Sequence, residues 1–408
     1  MARASCLPTA SPEAVGLSSS RLRQVMEVLH AEVEADRIPG AVFGIARRGK
    51  LAFLEAVGYR DKQAAEPMGT DAIFPLASMT KPIVSVAAMT LVERGKLFLG
   101  DPVAEYLPQF ADMKVAVETR DSRTGIATLV LQPATTPMTV QDVLRHTAGM
   151  VNPGLQPVTP VRQRYIDAGI NDRDQTLAER VDKLARMPLA HHPGTAWDYS
   201  HGVDVTGRLI EVIAGMSLDR FVAQNVTEPL DMADTGYHVP EGSWHRIAQP
   251  RVDPATGKLP DQPDARHPPK LVSGNSGMVG TATDYLRFSQ MLLNGGVLDD
   301  VRILGAGTVA HMTSDHLGPI SRNTESARRL LGPAMGFGLG FAVRLAAGES
   351  PMAGSAGDYW WGGAYRTLFV VDPLRELVAV LMVNETVYHP IPRWVQLFRT
   401  LVYQTIAQ

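Results

Sequence analysis

The chain has 408 residues, enough for about two or three structural units and a large core. Hydrophobic residues make up 45% and charged residues 20%, an ordinary globular balance, and 39 Lys+Arg against 42 Asp+Glu leave a net charge of −3, which offers no basic field for nucleic acid. The one cysteine, Cys6, excludes an internal disulfide, no apolar run reaches the length of a membrane span, and no apolar leader follows Met1–Pro8; a cytoplasmic enzyme is expected, although a processed exported form would read the same.

In chain order, Ser18-Ser19-Ser20 offers an N-cap, and Leu22, Val25, Met26, Leu29 and Val33 follow at helical spacing up to Ile38-Pro39-Gly40. Ala41–Ala46 and Leu51–Val57 read as a hairpin closed by Arg47-Arg48-Gly49-Lys50. Ser78–Arg94 is nearly all apolar after its first turn, so a helix buried on every side is predicted. Thr139-Val140-Gln141-Asp142 has the form of a capping box opening a short helix to Arg145, and Asp204–Ala214 and Ala282–Asn294 read as further helices. Val151–Val161 and Pro250–Pro269 are long Pro-rich connections of the kind that wall binding sites. Near the C-terminus Thr367–Val371 and Leu377–Val383 are strand-like around the turn Asp372-Pro373-Leu374-Arg375-Glu376, and Ile391–Ile406 places Trp394, Val395, Leu397, Phe398, Leu401 and Val402 on one helical face.

Helix and strands therefore open the chain, and strands and helix close it. The expected fold is α+β: an antiparallel sheet built from both chain ends and flanked by the terminal helices, with an inserted, mainly helical unit. The expected domains are 12–76 with 271–408, and 77–270, the site lying between them.

Chemistry concentrates at Ser78-Met79-Thr80-Lys81. Residues i and i+3 share a helix face with Cβ atoms about 5–6 Å apart, so the serine hydroxyl and the lysine amine can touch, and the helix N-terminus favours an oxyanion. Lysine is scarce, with only eight in the chain, and an unpaired ammonium on a buried helix is costly. The competing reading is a surface serine that caps the helix while Lys81 extends to solvent. Two further elements weigh against it: Tyr199-Ser200-His201 after the turn Pro193-Gly194, and Trp361-Gly362-Gly363-Ala364 at the start of the C-terminal strand pair.

With Ile38-Pro39-Gly40-Ala41, Leu144-Arg145-His146-Thr147-Ala148-Gly149 and Thr281–Gly296, these motifs make most of the chain resemble the serine hydrolases of the class C β-lactamase and penicillin-binding-protein superfamily, and more closely the family VIII carboxylesterases. The resemblance implies a β-lactamase-like fold and acyl transfer through an ester on Ser78, with Lys81 as its partner and Tyr199 as the phenolic base. It implies an oxyanion hole from the backbone N–H groups of Ser78 and Ala364, with Trp361, Gly362 and Gly363 bordering substrate where β-lactamases have Lys-Thr-Gly. Neither tyrosine (pKa about 10) nor lysine (about 10.4) is a base at neutral pH unless shifted, and the sequence leaves open which of the two takes the proton.

Trp361 in place of a cationic lysine shifts the expected substrate from β-lactam carboxylates to neutral esters of short to medium acyl chains, with Arg366 the one nearby cation able to restore carboxylate binding. His201 stands where β-lactamases have Asn; it either faces the substrate or lies behind the site or at the surface. The rival readings are a β-lactamase or DD-peptidase, an acyltransferase using the same acyl-enzyme, and a penicillin sensor without turnover. Gly-x-Ser-x-Gly is absent, Gly336, Gly338 and Gly340 lack the spacing of a dinucleotide fingerprint, and His191-His192 reads as a turn, so neither cofactor nor metal is expected.

Overall fold

The computed structural model describes residues 6–120, 123, 127–155, 157–386 and 391–407. Eight strands form one antiparallel sheet: β1 (Gly40–Arg47), β2 (Lys50–Asp61), β3 (Glu66–Pro67), β4 (Met335–Phe337), β5 (Ala342–Arg344), β6 (Tyr359–Gly362), β7 (Leu368–Asp372) and β8 (Leu377–Val383), in the spatial order β4-β5-β6-β7-β8-β1-β2-β3. The junction of the two chain ends is the β1–β8 pair, in register from Ala41 opposite Val383 to Arg47 opposite Leu377. Both strands are buried along their whole length because helices cover both faces, which is why they read as continuous apolar runs.

The helices are α1 (Ser19–Glu34), α2 (Thr80–Glu93), α3 (Gly202–Ala214), α4 (Ala282–Leu293) and α5 (Ile391–Tyr403), with shorter ones between. Adjacent residues of β1 point to opposite faces. Phe43 meets Phe398 of α5 edge-on, with ring centroids 6.4 Å apart, while Gly44 has room only for the Leu286 side chain of α4. The Ser18 N–H donates to the Thr405 carbonyl at 2.9 Å, which ties the start of α1 to the segment that follows α5. Ser18 accepts from the Arg21 N–H, and Thr139 and Asp142 form the expected reciprocal capping box. Residues 77–270 hold α2, α3 and several shorter helices, but also an unanticipated hairpin, Lys114–Arg120 paired with Ala127–Pro133. Its β-branched residues, Val115, Val117, Thr128 and Val130, pair through the backbone, and Val130 and Leu131 are left exposed, so no clean alternation of apolar and polar residues marks it. Among the described residues no helix is long and apolar enough to cross a membrane.

The sheet positions the site through the edge of β6. Phe74–Pro75 pairs with Val279–Gly280, a 3-10 turn covers Ala77–Met79, and α2 begins at Thr80. Pro82 falls in the first turn of α2, where its missing N–H costs nothing.

Candidate active site

Ser78 sits in the 3-10 turn that feeds α2, one residue after a strained backbone position. Ala77 has φ +46°, a left-handed conformation that costs a non-glycine residue about 1 kcal/mol or more. The turn is held from both sides: the Leu76 N–H donates to the Met278 carbonyl at 2.8 Å, and the Thr367 hydroxyl donates to the Leu76 carbonyl at 3.2 Å. Glycine at 363 permits this approach. A Cβ there would fall well inside contact distance of the Thr367 hydroxyl and the Leu76 carbonyl. Gly363→Ala is therefore expected to push the end of β6 off the Ser78 turn, lowering kcat/KM about tenfold or more and Tm as well, measured by ester kinetics beside thermal unfolding.

Lys81 Nζ lies 3.1 Å from Ser78 Oγ, Tyr199 donates to the same oxygen at 2.8 Å, and Lys81 Nζ stands 4.6 Å from the centre of the Tyr199 ring. The structure thus brings the three predicted side chains together, and Lys81 is buried rather than extended to solvent. Lys81 also donates to the Asn275 carbonyl at 2.8 Å, an anchor that no side-chain pattern announces. Burial pulls the Lys81 ammonium down to about 7, against the opposing pull of the Asp204 charge. Burial pushes the Tyr199 phenol up to about 12, although the hydrogen bond with Ser78 and the nearby Trp361 indole favour the phenolate. That indole N–H makes no hydrogen bond of normal geometry. Burial thus favours the neutral amine at Lys81 and the protonated phenol at Tyr199.

Beneath this trio lies a charged hub. The Asp204 carboxylate accepts from Arg180 at 3.1 Å, His201 Nδ1 at 2.9 Å, the Ser273 hydroxyl at 2.6 Å and the Asn275 N–H at 3.0 Å. Burial alone would raise its pKa, but Arg180, His201 and Ser273 hold it well below the usual carboxylate range. Asp204 thereby ties down the loop whose carbonyl holds Lys81. His201 is buried, not at the surface. Its Nδ1 is committed to Asp204, burial keeps the ring neutral, and the residue borders the larger of two cavities at the site. His146, with φ +61°, is buried against Tyr199 and Trp197, and burial first, then the Lys81 and His201 charges, push its pKa well down.

Trp361, Gly362 and Gly363 line the smaller cavity and Ala364 borders both. Ser78 and Ala364, whose backbone N–H groups are the expected oxyanion donors, both border the two cavities. Trp360 joins the wall of the smaller cavity, whereas Tyr359 and Trp197 pack in the core. Arg366 also borders that cavity; burial lowers its pKa, and the Glu385 charge opposes the shift. Among the described residues no cluster of His, Cys, Asp or Glu has the arrangement of a metal site. Asn275, Asp204, Asn152 and Trp394 are the site residues that sequence reasoning missed.

Residues 22–393 match the Beta-lactamase family. Esterase EstB of Burkholderia gladioli is 32% identical over 393 residues, which cover 91% of this chain and 93% of that protein. The solved structure described as EstCE1, a hydrolase with promiscuous acyltransferase activity, superposes with a TM-score of 0.78 at 28% identity, covering 94% of this chain and 99% of that one. Simvastatin synthase (LovD) from Aspergillus terreus shares the fold, with a TM-score of 0.78 at 22% identity, covering 96% of this chain and 100% of the other.

Proposed function

The chain belongs to the Beta-lactamase family, and from that premise we propose that it is a carboxylesterase of the family VIII kind, cleaving neutral esters of short to medium acyl chains through an acyl-enzyme on Ser78. The observation that carries this reading is the convergence of Lys81 Nζ and the Tyr199 hydroxyl on Ser78 Oγ, at 3.1 and 2.8 Å. The catalytic centre lies where a sheet domain, 12–76 with 271–408, meets the inserted unit 77–270.

In this reading neutral Lys81 takes the Ser78 proton as Oγ adds to the ester carbonyl. The N–H groups of Ser78 and Ala364 bind the oxyanion. On collapse the C–O bond to the alcohol breaks, and the Tyr199 phenol gives its proton to the departing oxygen. The Lys81 ammonium restores the phenol, which returns the amine to its neutral state. Water then takes the place of the alcohol and the same steps run in reverse order, releasing the acid and Ser78. The lowered Lys81 pKa and raised Tyr199 pKa support this division between base and acid. Acyl transfer to an alcohol is the second reading, since an alcohol in place of that water gives a new ester.

Trp361 supports esters over β-lactams. A penicillin carboxylate beside an indole instead of an ammonium is left poorly paired, which weakens binding, while an acyl chain gains about 0.8 kcal/mol per buried methylene until its space is full. Steady-state assays with nitrophenyl esters of increasing acyl length, a penicillin and a cephalosporin are expected to give the highest kcat/KM with a short to medium ester, and roughly tenfold or more lower values with either β-lactam. A β-lactam turned over as fast as the best ester would replace the esterase reading with that of a β-lactamase; an acyl-enzyme formed without turnover of any substrate would indicate a sensor.

A further inference from the structure

Two cavities meet at the nucleophile. One, of about 520 Å³, runs past His201, Tyr237 and the loop at Ser276 and Gly277; the other, of about 230 Å³, runs past Tyr199, Trp360, Trp361, Leu330 and Trp394. Ser78, Asn152 and Ala364 border both, so a carbonyl on Ser78 with its oxygen at the Ala364 N–H has one substituent directed into each. We infer that the smaller, tryptophan-walled cavity holds the alcohol half of the ester and selects compact apolar alcohols, aromatic or branched, while the acyl half lies in the larger cavity.

The assignment rests on the ester-cleaving reading above and on the position of Tyr199. A departing alkoxide needs a proton at the moment the C–O bond breaks, and the phenol 2.8 Å from Ser78 Oγ is the donor placed to give it. Tyr199 borders the smaller cavity and not the larger. The leaving oxygen must reach Tyr199, so the rest of the alcohol extends into the space that Tyr199 borders. The walls fit such a group. Trp360, Trp361 and Trp394 are buried, and Leu155, Leu368 and Val395 add aliphatic surface. A cavity of about 150 Å³ lined by apolar side chains admits benzene, so one of about 230 Å³ has room for a phenol or a branched short alcohol. The larger cavity mixes polar groups, including Asn171, Arg173 and Lys270, with apolar ones such as Leu271, Met278 and Val279, a less uniformly apolar lining than that of the smaller. Trp361 then exerts its selectivity on the alcohol, not on the acyl chain.

The same pocket serves the second half of the reaction. The acyl-enzyme keeps its acyl group in the larger cavity once the first alcohol has left. An incoming alcohol of the same shape occupies the vacated space, gives its proton to Tyr199 as the phenol passes its own to neutral Lys81, and forms a new ester as the Ser78 ester bond breaks and the Lys81 ammonium returns a proton to Ser78 Oγ. Ester in and ester out balance, with water as the competitor.

The test uses the full-length protein and two variants of Leu330, which borders only the smaller cavity and takes no part in the proton transfers. Leu330→Trp fills the space. It is expected to lower the ratio of kcat/KM for phenyl butyrate to that for methyl butyrate roughly tenfold or more. Esters of one acid share one acyl-enzyme, so within each protein single-turnover deacylation is expected to be the same whichever ester loaded it, and the acyl-length profile measured with methyl esters is expected to keep its shape. Leu330→Ala removes side-chain atoms and guards against a misfolded Trp variant; it is expected to raise kcat/KM for naphthyl butyrate relative to phenyl butyrate. Benzyl alcohol added to the wild-type enzyme is expected to divert acyl groups from butyrate to benzyl butyrate, and less so in Leu330→Trp. Shifts in the acyl-length profile at fixed alcohol, or variants blind to the alcohol, would overturn the assignment while leaving the esterase reading intact. A wild-type enzyme that hydrolyses none of these esters would overturn both.

Discussion

Ser78→Ala is expected to lower kcat for the best ester by at least about 10⁴-fold while the protein stays folded. The loss is large because no neighbouring group replaces the lost attack. Tyr199 and Lys81 are arranged around this oxygen, and covalent capture of the acyl group is the step to which both contribute. The fold is expected to survive because, among the described residues, the deleted hydroxyl hydrogen-bonds with these two side chains, while Lys81 retains the Asn275 carbonyl. Losing one hydrogen-bonding oxygen costs about 1 kcal/mol, small against the stability of a domain. A phosphonate probe is expected to add its mass to the peptide that carries Ser78, and to no peptide of Ser78→Ala. Labelling of a different serine, with Ser78→Ala still active, would dismiss the nucleophile and the mechanism with it.

Lys81→Ala is expected to lower kcat by about 10³-fold and Tyr199→Phe by about 10²-fold, with the double variant little worse than Lys81→Ala alone. The effects overlap because one proton circuit runs through both groups: without the base, a phenol waiting for the leaving alcohol has nothing to protonate. The wild-type pH profile separates the roles. Burial lowers the Lys81 ammonium to about 7, and only the neutral amine accepts the serine proton, so kcat/KM is expected to rise with pH through about 7 and then level off. Tyr199, pushed up to about 12, stays protonated across that range, so no loss of the acid is expected below pH 9 or so. In Tyr199→Phe the rise should persist at a lower plateau; in Lys81→Ala it should disappear. A rise that vanished in Tyr199→Phe and survived in Lys81→Ala would reverse the base and acid assignments.

Much of this was legible in the residues alone. The Ser78–Lys81 spacing puts both side chains on one helix face, where they can touch, and a continuous apolar run after it means that the helix is buried. The terminal hairpins and amphipathic helices announced a sheet closed from both chain ends, because periodicity is a local property of the chain. Departures such as Trp361 for lysine were also visible, since residue type alone carries the change in charge.

Only the tertiary structure decided the rest. The Asn275 carbonyl that anchors Lys81 is a backbone atom 194 residues away, and every residue has one, so no pattern of side chains distinguishes it. Asp204 reads as an ordinary residue at a helix start until Arg180, Ser273 and Asn275 converge on its carboxylate. Which of Lys81 and Tyr199 is the readier base depends on burial, which belongs to the packed core and not to the residue. The direction of His201, and the division of the site into a tryptophan-walled arm and a larger arm of mixed lining, arise from segments far apart in the chain, Tyr199, Leu330, Trp361 and Trp394 among them. Sequence determined which groups exist and which local partners they can reach; the volume, polarity and protonation around them depend on long-range packing, which sets the distance to solvent and to every other charge.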